Sequence, residues 1–247
     1  MTGGAAVAFQ HVSKSFGAKQ VLRDISFEVA PGEALCILGR SGTGKSVTLK
    51  LIVSLLKPDQ GEIRVDQDEI THLDESHISR VRRKMGFLFQ DAALFDSLTL
   101  YENLALPLRR LTDKSREEVD SVIDRVLHQV GLAGDKKKMP AELSGGMRKR
   151  AGLARALVLE PKILLADEPS SGLDRITASE IDDLLLRQKA ERNTTLIVVT
   201  HDVRGARRVA DRIAVLDQGK LVALGPAAEV EHSENEVARN LVAENCK

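Results

Sequence analysis

The chain has 247 residues, 43% of them hydrophobic, with 36 basic and 36 acidic side chains and a formal net charge of zero. That length suits one α/β core with a subdomain, and the charge balance excludes a global field drawing the protein onto nucleic acid or a lipid surface. Cys36 in an apolar run and Cys246 at the tail form neither a disulfide framework nor a metal spacing, which points to a reducing compartment.

Residues 5–11 and 20–29 alternate apolar with polar side chains around Phe16-Gly17 and predict an antiparallel β layer. The run Ala34-Leu35-Cys36-Ile37-Leu38 is a buried strand, and Gly39-Arg40-Ser41-Gly42-Thr43-Gly44-Lys45-Ser46 after it fits the pattern G-x-x-x-x-G-K-[ST] without deviation. An apolar helix over 46–56 follows, ended by Lys57-Pro58 and Gly61. In that strand–loop–helix order the glycines turn backbone N–H groups toward an anion, Lys45 reaches the outer phosphates and the Ser46 hydroxyl ligates Mg²⁺. A nucleotide is expected there. Phe16 just upstream suits stacking on adenine, and a core phenylalanine fits its pattern equally well.

β character continues over 63–70, and Gly86-Phe87-Leu88-Phe89 is a short strand ending at Gln90. Carboxyl ends of strands are where open α/β sheets place ligand groups, so Gln90 reads either as a group facing water or Mg²⁺ or as an ordinary loop residue. Thr99-Leu100-Tyr101-Glu102 is a capping box opening a helix that Pro107 should stop, and 114–130 is amphipathic, with Val119, Val122, Ile123, Val126 and Leu127 on one side. Lys136-Lys137-Lys138 reads as a solvated loop, with contact to lipid head groups as the sharper alternative.

Leu143-Ser144-Gly145-Gly146 opens a second helix whose bare N–H groups suit an anion, with Ser144 as N-cap. A buried strand over 163–166 ends in Asp167-Glu168, and because successive strand residues point oppositely the two acids must do different jobs. Asp167 suits Mg²⁺ through water, and Glu168 suits polarising a water near the γ-phosphate. The strand over 196–199 ends at Thr200-His201-Asp202, which makes His201 the histidine at a ligand-bearing edge. Residues 212–224 read as a closing hairpin. Beyond them Val230, Val237 and Leu241 give a thin stripe, so 225–247 is expected to be a C-terminal extension without a core.

Taken together, Gly39 to Ser46, Gln90, Leu143-Ser144-Gly145-Gly146-Met147, Asp167-Glu168, Ser171-Gly172-Leu173-Asp174 and His201 resemble the ATP-binding subunit of ABC transporters over nearly the whole chain. The resemblance implies, in that order, the Walker A motif, the Q-loop, the signature, Walker B with a general-base Glu168, the D-loop with Asp174, and the switch histidine, with Phe16 on adenine. It also implies a P-loop NTPase sheet with an N-terminal antiparallel β layer and a helical subdomain inserted at about 91–160. ATP and Mg²⁺ would be bound, and the partners would be a second copy of the chain and a transmembrane permease at the cytoplasmic face of the inner membrane. Within the family, residues 40–47, 88–95, 143–147 and 174–177 are similar to the lipid-transporting Mla and Mce-associated ATPases, which implies a lipid-binding shuttle partner in the bacterial envelope. Met147 stands where most signatures carry Gln, and Val47 where many carry Thr, so two side-chain hydrogen bonds to nucleotide are absent.

Two other readings compete. A non-transport ABC ATPase of DNA repair would carry a long coiled coil between Lys45 and Ser144, where no heptads occur, one of translation type would carry two such cassettes in one chain, and the charge balance argues against nucleic acid for both. A P-loop kinase would need neither the 143–146 motif nor His201.

Overall fold

The structure, a computed structural model, describes residues 4–243. Strands β1 (Val7–Phe16), β2 (Lys19–Val29), β4 (Gln60–Val65) and β5 (Asp68–Glu69) form an antiparallel sheet in the order β2-β1-β4-β5. Strands β3 (Ala34–Leu38), β6 (Met85–Leu88), β7 (Ile163–Asp167), β8 (Thr195–Thr200), β9 (Arg212–Asp217) and β10 (Lys220–Gly225) form a second sheet, ordered β10-β9-β3-β8-β7-β6. Its pairings are parallel except for the β9–β10 hairpin. Helices α1 (Lys45–Ile52), α2 (Glu75–Arg82), α3 (Leu100–Leu111), α4 (Arg116–Gln129), α5 (Gly145–Leu157), α6 (Arg175–Arg192), α7 (Val203–Val209), α8 (Ala227–Glu231) and α9 (Glu236–Ala243) complete the order. This is the expected α/β architecture with its separate antiparallel layer.

The continuous apolar runs of the central strands are explained by burial on both faces. Leu35 and Ile37 of β3, Leu165 of β7 and Ile197 and Val199 of β8 pack with α1 and the antiparallel sheet. Their alternate neighbours Cys36, Leu38, Leu164, Ala166, Leu196 and Val198 pack with α3, α4, α5 and α6. Cys36 is therefore core, and burial pushes its thiol far above the usual range. Cys246 lies outside the described residues.

Four local expectations differ from the structure. β1 extends to Phe16 because Lys14 Nζ and Ser15 N both bind the Asp59 carboxylate, at 2.7 and 2.6 Å, which holds the polar end of the strand. The helix after the phosphate loop stops at Ile52, because Ser54 turns left-handed at φ 53° and Leu55 N returns to Lys50 O. Pro107 lies inside α3 and does not end it. An interior proline costs about 3 kcal/mol. Leu100, Leu104 and Leu108 of the same helix are fully buried at roughly 1.5–3 kcal/mol each, so packing wins.

The fourth difference is at the C-terminus. Val230, Ala238 and Val242 are buried in the same core as α4 and α5 and Leu241 packs partly buried against it, while Val237 is 38% exposed, so the stripe is broader than expected and is part of the core. Two short helices that pack on each other present more apolar surface than either offers alone. The 136–138 lysines also do local work. Lys136 and Lys138 pair with Asp124 and Asp135, and their carbonyls accept the Tyr101 and Leu100 N–H groups at the start of α3.

Candidate functional site

Strands β3, β8, β7 and β6 are parallel neighbours, so their carboxyl ends lie side by side on one edge. After these strands come the phosphate loop, His201, Asp167-Glu168 and Gln90 in turn, and register alone gathers four motifs that are far apart in the chain. They meet at an open cleft of about 750 Å³. Arg40, Ser41, Gly42, Gly44, Lys45 and Ser46 form one wall of it, Gln90, Glu168 and His201 another, and Phe16, Lys19 and Val21 its outer end. Phe16 is 47% exposed there, which removes the core reading of that residue.

The loop has the shape an anion needs. Gly44 holds φ 105°, and a Cβ on it would lie 2.4 Å from Leu22 Cδ2; a Cβ on Gly39 would lie 2.5 Å from the Leu216 carbonyl. Only glycine fits either place. Thr43 is buried, with its hydroxyl donating to Arg40 O at 2.9 Å, and so shapes the loop from behind. The Lys45 ammonium is tied across the loop, donating to Gly39 O at 2.8 Å and Arg40 O at 3.3 Å, with Glu168 Oε1 3.8 Å away. Burial lowers its pKa, and Glu168 and Asp167 oppose that shift.

The two carboxylates separate as strand alternation requires. Asp167 keeps the parity of Leu165 and faces α1, where Ser46 donates its hydroxyl to Oδ1 at 2.9 Å. Burial raises the Asp167 pKa, against the Ser46 hydrogen bond. Glu168 leaves the strand with φ 47°, an uncommon conformation for a non-glycine residue. Its Oε2 accepts from the Thr200 hydroxyl at 3.0 Å and the His201 N–H at 3.3 Å, and lies 2.9 Å from His201 Nδ1. That leaves Oε1 toward Lys45 and the cleft.

Other expected site residues stand apart. Ser144 caps α5, accepting from Met147 N at 3.2 Å, and with Gly145 and Gly146 it lies outside the cleft lining. Asp174 caps α6 by accepting from Ile176 N, Thr177 N and the Thr177 hydroxyl, also away from the cleft. Sequence reasoning missed Lys19, Val21 and, above all, Lys149. The signal for Lys149 was present: it lies on the α5 face of Gly152 and Ala156, at spacings of three and seven, where a charge is out of place.

Residues 22–171 match the family model described as ABC transporter. This chain belongs to that family: it is an ABC transporter ATP-binding subunit, an ATPase. A relative from Mycobacterium leprae, named "Probable ribonucleotide transport ATP-binding protein mkl", is 43% identical over 98% of this chain and 70% of its own length. Another from Pseudomonas fluorescens, named as the methionine import ATP-binding protein MetN 1, is 40% identical over 97% of this chain and 73% of its own. Among solved structures, the ATP-binding cassette MJ0796, dimeric and bound to ADP and Pi, is similar at TM-score 0.83 and 35% identity, over 89% of this chain and 98% of that one. The structure of cbiO1 from Clostridium perfringens, part of the ABC transporter complex cbiONQ, is similar at 0.84 and 30%, over 97% and 96%.

Proposed function

We propose that two copies of this chain close head to tail over two ATP molecules and thereby drive a membrane permease. The observation that carries the reading is a separation. The cleft holds its own phosphate loop, yet the chain has a second anion-ready helix start at Ser144-Gly145-Gly146 that lies outside the cleft lining. In a two-fold assembly each such start meets the partner's cleft, and two equal sites form at once. In this reading Lys45 and the loop N–H groups hold the phosphates, with Phe16 against adenine. Ser46, Gln90 and Asp167 supply the oxygen donors suited to Mg²⁺, which neutralises charge on the phosphoryl oxygens. Glu168 takes the proton of the attacking water, His201 orients it, and Asp174 serves by fixing the turn before α6 at the interface.

The permease contact is supported by an apolar groove lined by Phe87, Phe89, Phe95, Leu106 and Leu111 beside Gln90, with Phe95 half exposed. No helix among the described residues is long and apolar enough to cross a membrane, so the reading assigns the spanning segments to that partner, with this chain at its cytoplasmic face. For cargo, the resemblance of residues 40–47, 88–95 and 174–177 to Mla and Mce-associated ATPases supports a lipid and a lipid-binding shuttle. The names of the relatives favour a second reading, an importer of a small polar solute such as methionine or a nucleotide.

The dimer is tested by light scattering of Glu168→Gln with ATP and Mg²⁺, with and without Ser144→Arg. A stable dimer is expected only without the arginine, and one that persists with it sinks the reading. Cargo is decided on the permease complex. Lipid copurifying with it and stimulating turnover supports lipid transport, whereas stimulation by methionine or a ribonucleotide alone supports import.

A further inference from the structure

Helix α5 carries more than the Ser144 start. Lys149, one and a half turns in, is 6% exposed, and its ammonium donates to the Gln90 carbonyl, to the Glu168 carbonyl at 3.0 Å and to the Ser171 hydroxyl at 3.2 Å. One buried cation thus joins two segments that lie far apart in sequence: the chain just after β6 and the turn that runs from the end of β7 to α6. Three donors face three acceptors, so the group is saturated. Among the described residues no carboxylate pairs with it directly, and those of Asp91, Glu168 and Asp167 act on it at longer range. Burial lowers its pKa accordingly.

Both segments gripped at their carbonyls have strained backbones. Glu168 has φ 47°, and Ala92 and Ala93 after Gln90 have φ 59° and 49°. Such conformations persist only where surrounding contacts over-determine them. At Glu168 the contacts are Lys149 on its carbonyl, with Ser171 N at 3.2 Å, and Val199 O on its N–H at 2.8 Å. At Ala92 and Ala93 they come from Arg155, again on α5, whose guanidinium donates to both carbonyls. The helix therefore holds the posture of Gln90 and Glu168 from behind, while its exposed N-terminus points out of the subunit.

We propose that Lys149 is a positioning residue that couples the Ser144 start, serving one ATP site, to Glu168 and Gln90, serving the other. The coupling between sites rests on the head-to-tail dimer proposed above; the grip on Glu168 does not. When α5 docks on the partner's γ-phosphate, a small shift of the helix is carried by Lys149 to the Glu168 carbonyl, and the Oε1 atom that faces the cleft is re-aimed. Occupancy of one site then sets the reactivity of the other, without contact between the two nucleotides.

The test compares Lys149→Met, Lys149→Arg and the unaltered protein in ATP affinity at high dilution, in kcat and in the Hill coefficient for ATP. Lys149→Met is expected to lose about 10- to 100-fold in kcat, with ATP affinity unchanged within about twofold, and Lys149→Arg to recover most of the loss. The Hill coefficient should fall toward one in Lys149→Met. A kcat within about threefold of the unaltered protein overturns the proposal, as does a loss that follows affinity and that arginine does not rescue. Should Lys149→Met fail to fold, Ser171→Ala removes one of the three acceptors and should lower kcat at constant affinity; unchanged turnover there counts against the grip. If Glu168→Gln stays monomeric in ATP and Mg²⁺, the dimer reading fails and with it the inter-site coupling. If it dimerises while Lys149→Met keeps its Hill coefficient, the dimer stands and the coupling alone is overturned.

Discussion

Replacing Glu168 by glutamine should separate binding from hydrolysis, and the hydrogen bonds of Glu168 say why. Oε2 faces the Thr200 hydroxyl, the His201 N–H and His201 Nδ1, at 3.0, 3.3 and 2.9 Å. An amide nitrogen in that place would meet donors, so the glutamine oxygen must occupy it, and its NH₂ then takes the position of Oε1 toward Lys45 and the cleft. The buried network survives while the cleft-facing base becomes a donor. Stability should change by less than about 1 kcal/mol, since hydrogen bonds are retained and not orphaned. Turnover should fall by about 10² to 10⁴, which is roughly 3–5 kcal/mol in the barrier. ATP affinity should hold or rise, because one negative charge leaves the phosphate site. Phosphate release, equilibrium binding of ATP and a thermal melt measure the three quantities. Turnover within about tenfold of the unaltered protein, or loss of ATP binding, would refute the assignment of Oε1 as the working atom.

Further outcomes follow from single contacts. His201→Ala removes the Nδ1 contact but leaves Glu168 held by Thr200 and by its own backbone neighbour, so kcat should fall by about 10- to 100-fold, less than in Glu168→Gln; an equal or larger loss would give His201 the primary role. Asp182, buried in α6 beside Asp202, is pushed up to about 6, by burial first and then by the Asp202 charge. The folded protein therefore binds that proton more tightly than the unfolded chain, and ionising it costs stability above about pH 6 that returns as pH falls toward the ordinary 3.8. Asp182→Asn should raise the melting temperature at pH 7.5, on the order of 1 kcal/mol, and by less at pH 5; equal gains at both would contradict the cause. Truncation after Gly225 removes Val230, Ala238 and Val242 from the core and should destabilise by about 3–5 kcal/mol. The truncated chain, where it folds, should keep ATP binding, since the cleft lining ends at His201; an unchanged melt would contradict the packing.

The parts legible in the sequence are those whose physics is local. The phosphate loop is a spacing of glycines set by backbone reach, and its strand and helix could be recognised on either side of it. Asp167 and Glu168 could be assigned different jobs from strand alternation alone, and Thr99 and Ser144 cap their helices as their types require. Nearly all of the central strands were visible as short apolar runs, because burial on both faces leaves no polar position to break them.

What the sequence could not decide depended on neighbours brought from elsewhere. Whether Phe16 is core or surface is a question of what lies over it, and the tertiary structure leaves it half exposed at the cleft. Pro107 obeys local preference until the burial of three leucines outweighs it, and the C-terminal stripe reads as thin until α8 and α9 share a surface with α4 and α5. Lys149 is the sharpest case. In the sequence it is a charge out of place on the face of Gly152 and Ala156, and only when Gln90, Glu168 and Ser171 are folded around its ammonium does it have a role. Local spacing determined the chemistry this chain carries, whereas long-range packing decided which side chains hold that chemistry in place, because helical spacing can show that the Lys149 charge is out of place but not which distant backbone carbonyls accept from it.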